Sequence, residues 1–258
     1  MHFISNKNID ISAYRSNSQI VRILSEAWVH NTIFCPSCGA SLRETANNTE
    51  ACDFLCSACK EEFELKSKSQ KITNKIVNGA YSTLMDRVES MNNPNLYVLQ
   101  YNKENFSVQN FLVVPKYFFI KSIIEERKPL TLTARRAGWI GCNILIGKVP
   151  NFGKIYYIKD GEEQAKKDIL SAWKQTSFVR SDFSEKQKGW LFDTMNCIDL
   201  IGRKEFSLND IYKYEEALKL QHPKNKHIKD KLRQQLQILR DRGIIEFLSR
   251  GQYRMVTF

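Results

Sequence analysis

The chain of 258 residues carries 39 Lys and Arg against 28 Asp and Glu, which gives a formal net charge of +11 at pH 7. Such an excess favours polyanionic partners, either nucleic acid or an anionic membrane surface, because neutralised phosphates release counterions. No stretch approaches the roughly 18 apolar residues of a membrane span, and the first residues lack a secretory signal, so a cytoplasmic protein is expected. The length allows two domains.

Hydrophobic periodicity in the first two thirds of the chain predicts a mixed α/β (α+β) domain. Helices are predicted over 14–31, 74–90 and 162–175, and strands over 51–66 (as two short strands), 96–101, 111–115 and 155–158. Helix, hairpin, helix and strands in this order are compatible with a nuclease-like core. The polar and weakly periodic residues 176–189 are predicted to form a linker.

The last part of the chain has three helical patterns followed by two short strands, an order that predicts a winged helix-turn-helix. The patterns include a helix from Ser207 to Leu220 with a capping box at Asp210, a helix over 226–242 that Gly243 ends, and wing strands over 244–248 and 253–258. The predicted domains are therefore 1–180 and 186–258, and the basic charge is denser in the second.

The helix predicted over 226–242 has one apolar stripe, formed by Ile228, Leu232, Leu236 and Leu239, and a basic polar face opposite to it. The residues on that face that we expect to contact DNA are Lys229, Arg233, Gln234, Gln237 and Arg240. Such side chains can bind phosphates and base edges in the major groove. An ordinary solvated face is the alternative, and the wing strands that follow favour DNA recognition.

Four of the seven cysteines form two C-x2-C pairs, Cys35 with Cys38 and Cys56 with Cys59. The pairs are separated by the roughly 15 to 20 residues typical of a four-thiolate zinc site. Because four thiolates leave no open coordination position, the predicted Zn²⁺ is structural. The remaining cysteines are expected to be small buried apolar residues, and they are Cys52, Cys142 and Cys197.

Beside the second cysteine pair, Asp53 and the tripeptide Glu64-Leu65-Lys66 match the D…(D/E)xK arrangement of magnesium-dependent nucleases. Residues two apart on a strand share a face, so Glu64 and Lys66 point the same way. If Cys56 faced Cys59 in a hairpin, Asp53 would lie opposite Glu62 and diagonal to Glu64, and these acidic residues and Lys66 would share one face. One solvated strand face is the alternative explanation of this pattern.

In this interpretation Asp53 and Glu64 bind Mg²⁺, with the Leu65 carbonyl as a further ligand, because Mg²⁺ prefers oxygen donors. Lys66 is expected to orient the attacking water or help to deprotonate it, and to stabilise charge on the phosphate. Glu26 on the preceding helix is a further candidate for water activation, although a solvated helix face explains it better.

A Gly-containing segment, residues 133–143, contains Arg135, Arg136 and Trp139. Two guanidinium groups and an indole suit phosphate binding and flat contact with a base or its methyl group. From composition alone, the better interpretation of Trp139 is a core residue.

The sequence resembles the methyl-directed (type IIM) restriction endonucleases over most of its length. The resemblance is carried by SNSQIVRILSEAWV, the two C-x2-C pairs, DF with EEFELKSK, NNPN, RKPL, TARRAGWIGCNI and HIKDKLRQQLQILRDRGIIEF. Residues 40–50, the loop near 70 and roughly 160–185 match poorly.

The resemblance implies a PD-(D/E)xK restriction-endonuclease-like catalytic domain with a zinc element and a C-terminal winged helix, acting in the bacterial cytoplasm. It implies Mg²⁺-dependent cleavage of double-stranded DNA at GATC sites whose adenine carries an N6-methyl group. Carried onto this chain, the catalytic residues are Asp53, Glu64 and Lys66. Both domains would read methylated DNA, with Trp139 and its two arginines near the methyl groups.

Two alternatives remain open at the level of sequence. One is a non-catalytic, zinc-containing DNA-binding regulator, and the other is a nuclease of the same fold with a different specificity. RNA binding within a larger assembly is a weaker third. A monomer that needs no protein partner is expected, but the residues themselves reveal neither the target sequence nor its methylation.

Overall fold

The computed structural model describes residues 16–45, 52–180 and 183–256. They form two compact units: the second is Lys148–Phe152 with the described residues from Phe178 onward, and the first is the remaining described residues up to Ser177. Within the described ranges, no helix combines the length and the apolar character needed to cross a bilayer.

The first unit is a mixed sheet with helices packed against it. Its described helices are α1 (Asn17–Thr32), α2 (Tyr81–Glu89) and α3 (Lys166–Thr176). Its described strands are β1 (Leu42–Glu44), β2 (Phe54–Cys56), β3 (Glu62–Lys68), β4 (Ile76–Ala80), β5 (Asn95–Tyr101), β6 (Val108–Val114), β7 (Ile124–Glu126), β8 (Gly141–Ile144), β9 (Ile155–Lys159) and β10 (Glu162–Glu163).

The main sheet has the strand order β1-β2-β3-β5-β6-β9-β10, and a smaller sheet has the order β4-β8-β7. In the main sheet β3 and β5 pair in parallel, whereas the other described pairs are antiparallel. The central strand β5 is a continuous apolar run that is buried on both faces. The strand β3, which contains the candidate residues Glu64 and Lys66, pairs with β5 and therefore lies inside the sheet and not at its edge.

The core beneath β3 is aromatic. Phe63 stacks on Tyr97 with ring centroids 4.6 Å apart, and Tyr97 stacks on Phe111 at 5.0 Å. From α1, Trp28 packs edge-on against Phe111 at 5.2 Å. Because Phe63 points into this core, its neighbours Glu62 and Glu64 must point to the opposite face of β3.

The prediction of one helix over 74–90 is wrong in its first part. Residues Ile76–Ala80 form β4, with alternating burial that starts at the buried Ile76, and the helix begins only at Tyr81. The antiparallel partner of β4 is β8, more than sixty residues later in the chain. A pairing at that distance is a tertiary constraint that local periodicity cannot show.

The predicted linker over 176–189 is also wrong at both ends. Ser177–Val179 form a 3-10 turn, and α4 begins at Glu185. Ser184 and Gln187 form a complete capping box at the start of α4, a signal that was present in the sequence.

The second unit contains helices around a small antiparallel sheet of order β11-β13-β12. Its described elements are α4 (Glu185–Ile201), β11 (Glu205–Ser207), α5 (Leu208–Tyr212), α6 (Glu215–Gln221), α7 (Ile228–Asp241), β12 (Ile245–Ser249) and β13 (Gln252–Met255). The predicted winged helix-turn-helix is confirmed, and Gly243, at a left-handed φ of 68°, follows α7 as predicted.

One helix of the second unit differs from prediction. The helix expected from Ser207 to Leu220 is two helices, separated at Lys213 and Tyr214, where the Tyr214 N–H bonds the Ile211 carbonyl at 3.1 Å. This shorter i to i+3 bond tightens the chain and ends α5. Positions 14, 15, 51, 257 and 258 of the predicted elements lie outside the described residues.

Candidate active site and metal centre

The two C-x2-C pairs meet in one cluster. Cys35 follows α1, Cys56 ends β2, and the four Sγ atoms all lie within 4.8 Å of one another. Sγ–Sγ distances are 3.5 Å for Cys35–Cys59 and 3.4 Å for Cys38–Cys56. Zn–S bonds of about 2.3 Å place tetrahedral thiolates about 3.8 Å apart, so the cluster could hold a zinc ion.

The turn from Cys56 to Cys59, here called the knuckle, favours ionisation of one thiol. Burial opposes ionisation of Cys56, but the N–H groups of Cys59 and Ala58 together with the Cys38 and Cys59 side chains lower the pKa of Cys56 to about 7. Lys60 adopts a left-handed φ of 62° at the end of this turn. The chain is thereby reversed within a few residues, and β3 can return beside β2.

The hairpin register differs from the predicted one. Phe54 pairs with Phe63 and Leu55 with Glu62, and the Asp53 N–H bonds the Phe63 carbonyl at 2.9 Å. The turn is closed by the Cys56 N–H to the Glu61 carbonyl at 2.9 Å, so Cys56 faces Glu61 and not Cys59. Because the turn is two residues wider than expected, Asp53 comes level with Glu64 and not with Glu62.

Asp53 is fixed by the strand that carries its partners. Its Oδ2 accepts the Leu65 N–H at 2.7 Å. Burial raises the pKa of the Asp53 carboxyl and the nearby Glu64 carboxylate adds to this, whereas the Leu65 N–H and the Lys66 ammonium act in the opposite direction. A partly buried carboxylate beside a second carboxylate is a position that favours a bound cation.

Glu64 and Lys66 are two residues apart on β3, and their side chains are in contact. The Lys66 Nζ is 2.6 Å from Glu64 Oε1, with 29% of the Lys66 side chain and 10% of the Glu64 side chain exposed. Asp53, Glu64 and Lys66 are therefore brought together on the hairpin. Glu62, which was predicted to share this face, pairs with Arg87 of α2 at 3.2 Å.

The helix α1 contributes a second acidic group near Asp53. Glu26 Oε1 accepts from Arg22 Nε at 2.7 Å, and burial raises the pKa of Glu26, with the Asp53 charge adding to the rise. Ser25 on the same helix meets Ser67 of β3 with their Oγ atoms 3.0 Å apart. Glu26 is thus partly buried beside the hairpin, in an i,i+4 pair on the helix surface, and its part in water activation stays a prediction.

The segment that contains Arg135, Arg136 and Trp139 is a series of turns between β7 and β8. The Arg136 guanidinium lies 4.7 Å from the centre of the Trp139 ring. The backbone N–H of Trp139 donates to the backbone carbonyl of Arg136 at 3.1 Å. Trp139 is partly exposed and both arginines are exposed, so the expectation of a core tryptophan is wrong. These aromatic and cationic groups are accessible to a ligand.

The strand that follows this segment approaches Glu64. Cys142 on β8 is fully buried, and burial raises its pKa to about 11, with the Glu64 charge acting in the same direction. The lone cysteines Cys52, Cys142 and Cys197 are 6%, 0% and 5% exposed, which confirms that they are buried.

On α7 the predicted apolar stripe is buried and the polar face is exposed, as expected. Several cations of this face have partners within the unit: Lys229 pairs with Glu215 at 3.3 Å, Arg233 pairs with Asp230, and Arg240 pairs with Asp241 at 2.8 Å. Gln234 accepts from Lys231 at 2.6 Å, and Gln237 is exposed. Exposed pairs of this kind are weak, so phosphates can replace the acidic partners.

Comparison with protein-family models gives two matches. Residues 1–182 match the model of the Dam-replacing family, named DpnI, and residues 186–255 match the Dam-replacing helix-turn-helix domain. The second match indicates DNA binding through the winged helix. Together they confirm the resemblance inferred from the motifs. The chain belongs to the Dam-replacing (DpnI) family, that is, to the methyl-directed restriction enzymes.

Proposed function

We propose that this chain is a Mg²⁺-dependent type II restriction endonuclease that hydrolyses double-stranded DNA at GATC sites containing N6-methyladenine. The observation that carries the proposal is the convergence of Asp53, Glu64 and Lys66 on one hairpin, with Glu64 and Lys66 2.6 Å apart and Asp53 bound to the backbone between them. The target sequence and its methylation are taken from the family resemblance.

The donor atoms suit a hard divalent cation. Asp53 and Glu64 would supply carboxylate oxygens and the Leu65 carbonyl would be the further ligand, a set that Mg²⁺ prefers over nitrogen or sulfur. When bound, the cation offsets charge on the scissile phosphate and makes water a better nucleophile. The raised pKa of Asp53, caused by burial and by Glu64, supports cation binding, since a cation relieves the repulsion between these carboxylates.

Lys66 has a separate role in this mechanism. Its ammonium group is kept beside Glu64 by their contact, and 29% of its side chain is exposed, so it can reach a DNA phosphate. A compact ammonium group orients a water molecule and stabilises negative charge that develops on phosphate oxygens.

The four-cysteine cluster would hold Zn²⁺ as a structural ion. Cys56 ends β2 only three residues after Asp53, and Glu62 begins β3 three residues after Cys59. Fixing the knuckle therefore fixes the register in which Asp53 meets Glu64.

DNA recognition would use both units. In the first, Trp139 with Arg135 and Arg136 would contact DNA near the methyl groups, because an exposed indole offers a flat apolar surface. In the second, the polar face of α7 would enter the major groove, with contacts from Lys229, Arg233, Gln234, Gln237 and Arg240.

The decisive experiment uses two preparations of one plasmid, from adenine-methylating and non-methylating hosts, with and without Mg²⁺. We expect cleavage of the methylated plasmid only, and only with Mg²⁺. Binding without cleavage under every condition would support the regulator instead. Equal cleavage of both plasmids would support a nuclease of different specificity.

A further inference from the structure

Asn78 of the smaller sheet makes a buried contact with the catalytic strand. Its Nδ2 donates to Glu64 Oε2 at 3.3 Å, and the residues are 8% and 7% exposed, respectively. The Gly79 N–H donates to Asn78 Oδ1 at 2.7 Å. That bond occupies the amide oxygen, so the NH2 group of Asn78 is the end that faces Glu64.

The burial pattern of β4 makes an amide at this position unusual. Ile76 and Asn78 point inward while Val77, between them, is 61% exposed. Across the sheet Asn78 pairs with Cys142, which is fully buried. An apolar side chain would suit this surrounding, whereas a buried amide is stable only where it forms hydrogen bonds. The hydrogen bond to Glu64 explains why asparagine, and not an apolar residue, is present at position 78.

We propose that Asn78 is a positioning residue of the nuclease site, which holds Glu64 in the orientation needed for its reaction. The inference rests on the proposed function. With Oε2 bound to Asn78 and Oε1 beside Lys66, each oxygen of Glu64 has a partner, and the two contacts hold the carboxylate in one orientation. Outer partners of metal-binding carboxylates change metal affinity or activity by about 10- to 100-fold when removed.

The neighbouring strand offers a matched control. Asn143 on β8 also donates its Nδ2 to a glutamate, the Oε2 of Glu125, at 2.7 Å. Both asparagines lie in the same small sheet, in strands that pair with each other. Only Asn78 contacts a proposed catalytic residue, so the two substitutions differ in their effect on the site and not in their chemistry.

The experiment compares Asn78→Leu with Asn143→Leu in the full chain. Leucine has the same branched shape and number of side-chain heavy atoms as asparagine, is larger because its branches are methyl groups, donates no hydrogen bond and excludes water. Mn²⁺ binding is measured by calorimetry without DNA, cleavage of methylated plasmid is followed over a range of Mg²⁺ concentrations, and DNA affinity is measured without metal. Thermal unfolding checks the fold, and Asn78→Ala, which leaves room for a water donor, is the second variant.

We expect Asn78→Leu to weaken Mn²⁺ binding and to slow cleavage by about 10- to 100-fold, with metal-free DNA affinity within about twofold of the wild type. Asn78→Ala should lose less, and Asn143→Leu should match the wild type. Equal Mn²⁺ binding by the wild type and a folded Asn78 variant would overturn the inference. A wild-type protein that binds Mn²⁺ but cuts no DNA would instead overturn the proposed function, because the metal-binding comparison does not depend on cleavage.

Discussion

Individual side chains on the β2–β3 hairpin have separable roles. Asp53 is bound through its carboxylate to the Leu65 N–H, whereas Lys66 contacts Glu64 through its ammonium group. Glu62 lies on the same strand but pairs with Arg87 of α2. The hairpin therefore contains both the proposed reactive groups and an acidic residue suitable as a control.

We expect Asp53→Ala and Lys66→Ala to abolish cleavage of methylated DNA while DNA affinity stays within a few fold of the wild type. Each change removes a charge that the proposed reaction requires but leaves the proposed reading surfaces intact. Cleavage of labelled duplex and fluorescence anisotropy measure the two properties. The control Glu62→Ala should retain most activity, and undiminished cutting by either main variant would refute the assigned roles.

Among the secondary-structure elements, β8 connects the Trp139 segment to β3, the strand that contains Glu64 and Lys66. Gly141 begins β8, and a Cβ atom built there would lie 2.8 Å from the Trp139 ring atoms Cη2 and Cζ3. This distance is closer than van der Waals contact allows, so the indole can lie over the strand only because residue 141 is glycine. Cys142, the next residue, has Glu64 as a charged neighbour.

The change Gly141→Ala should displace the Trp139 ring and reduce the preference for methylated over unmethylated DNA, by roughly 10-fold if the ring contributes about 1.4 kcal/mol of discrimination. Competition binding with the two duplexes measures the preference. Gly79→Ala is the control, because Gly79 lies on β4 of the same sheet and a Cβ there meets no atom within 4 Å. An unchanged preference in Gly141→Ala would argue against methyl reading by Trp139.

A second prediction concerns the four-cysteine cluster, whose bound zinc we expect to be needed for both stability and cleavage. Cys38→Ser, or zinc removal by a chelator, should lower the melting temperature by about 2–4 °C for each kcal/mol of stability lost and should abolish cleavage even at high Mg²⁺ concentration. The reason is that the hairpin register depends on the knuckle. Zinc content and thermal unfolding give the measurement.

Cys197→Ala is the matched control for the cluster, because Cys197 is buried at 5% exposure but lies in the second unit. It should lose some stability without losing zinc. Full activity of zinc-free protein would contradict the structural role of the ion.

On the scale of the whole molecule, the net charge of +11 and the helix-turn-helix match agree on DNA as the partner. Much of this charge is exposed, and on α7 it is only weakly neutralised by acidic neighbours. Affinity for DNA should therefore have a large electrostatic part that is independent of sequence.

We expect DNA affinity to fall steeply as salt rises from about 50 to 200 mM, by roughly 10³- to 10⁵-fold if six to ten phosphates are contacted. Arg233→Ala should reduce the slope of log affinity against log salt by about one if Arg233 binds a phosphate. Anisotropy titrations at several salt concentrations measure the slope. Lys103→Ala, which removes an exposed cation outside the proposed reading surfaces, should leave it unchanged.

Features that depend on local spacing can be predicted from the amino-acid sequence alone. Recognition of the C-x2-C pairs, the Glu64-Leu65-Lys66 alternation on a strand and the apolar stripe of α7 requires only neighbouring residues. Features that depend on pairing between distant residues become visible only in the folded chain. One example is the strand β4, whose partner β8 is far away in the chain. A second is the register in which Asp53 lies level with Glu64, because it depends on the number of residues in the turn between β2 and β3. A third is the contact of Asn78 with Glu64, which forms only where the two sheets meet. Local patterns fix which residues share a face, but long-range packing fixes which faces meet.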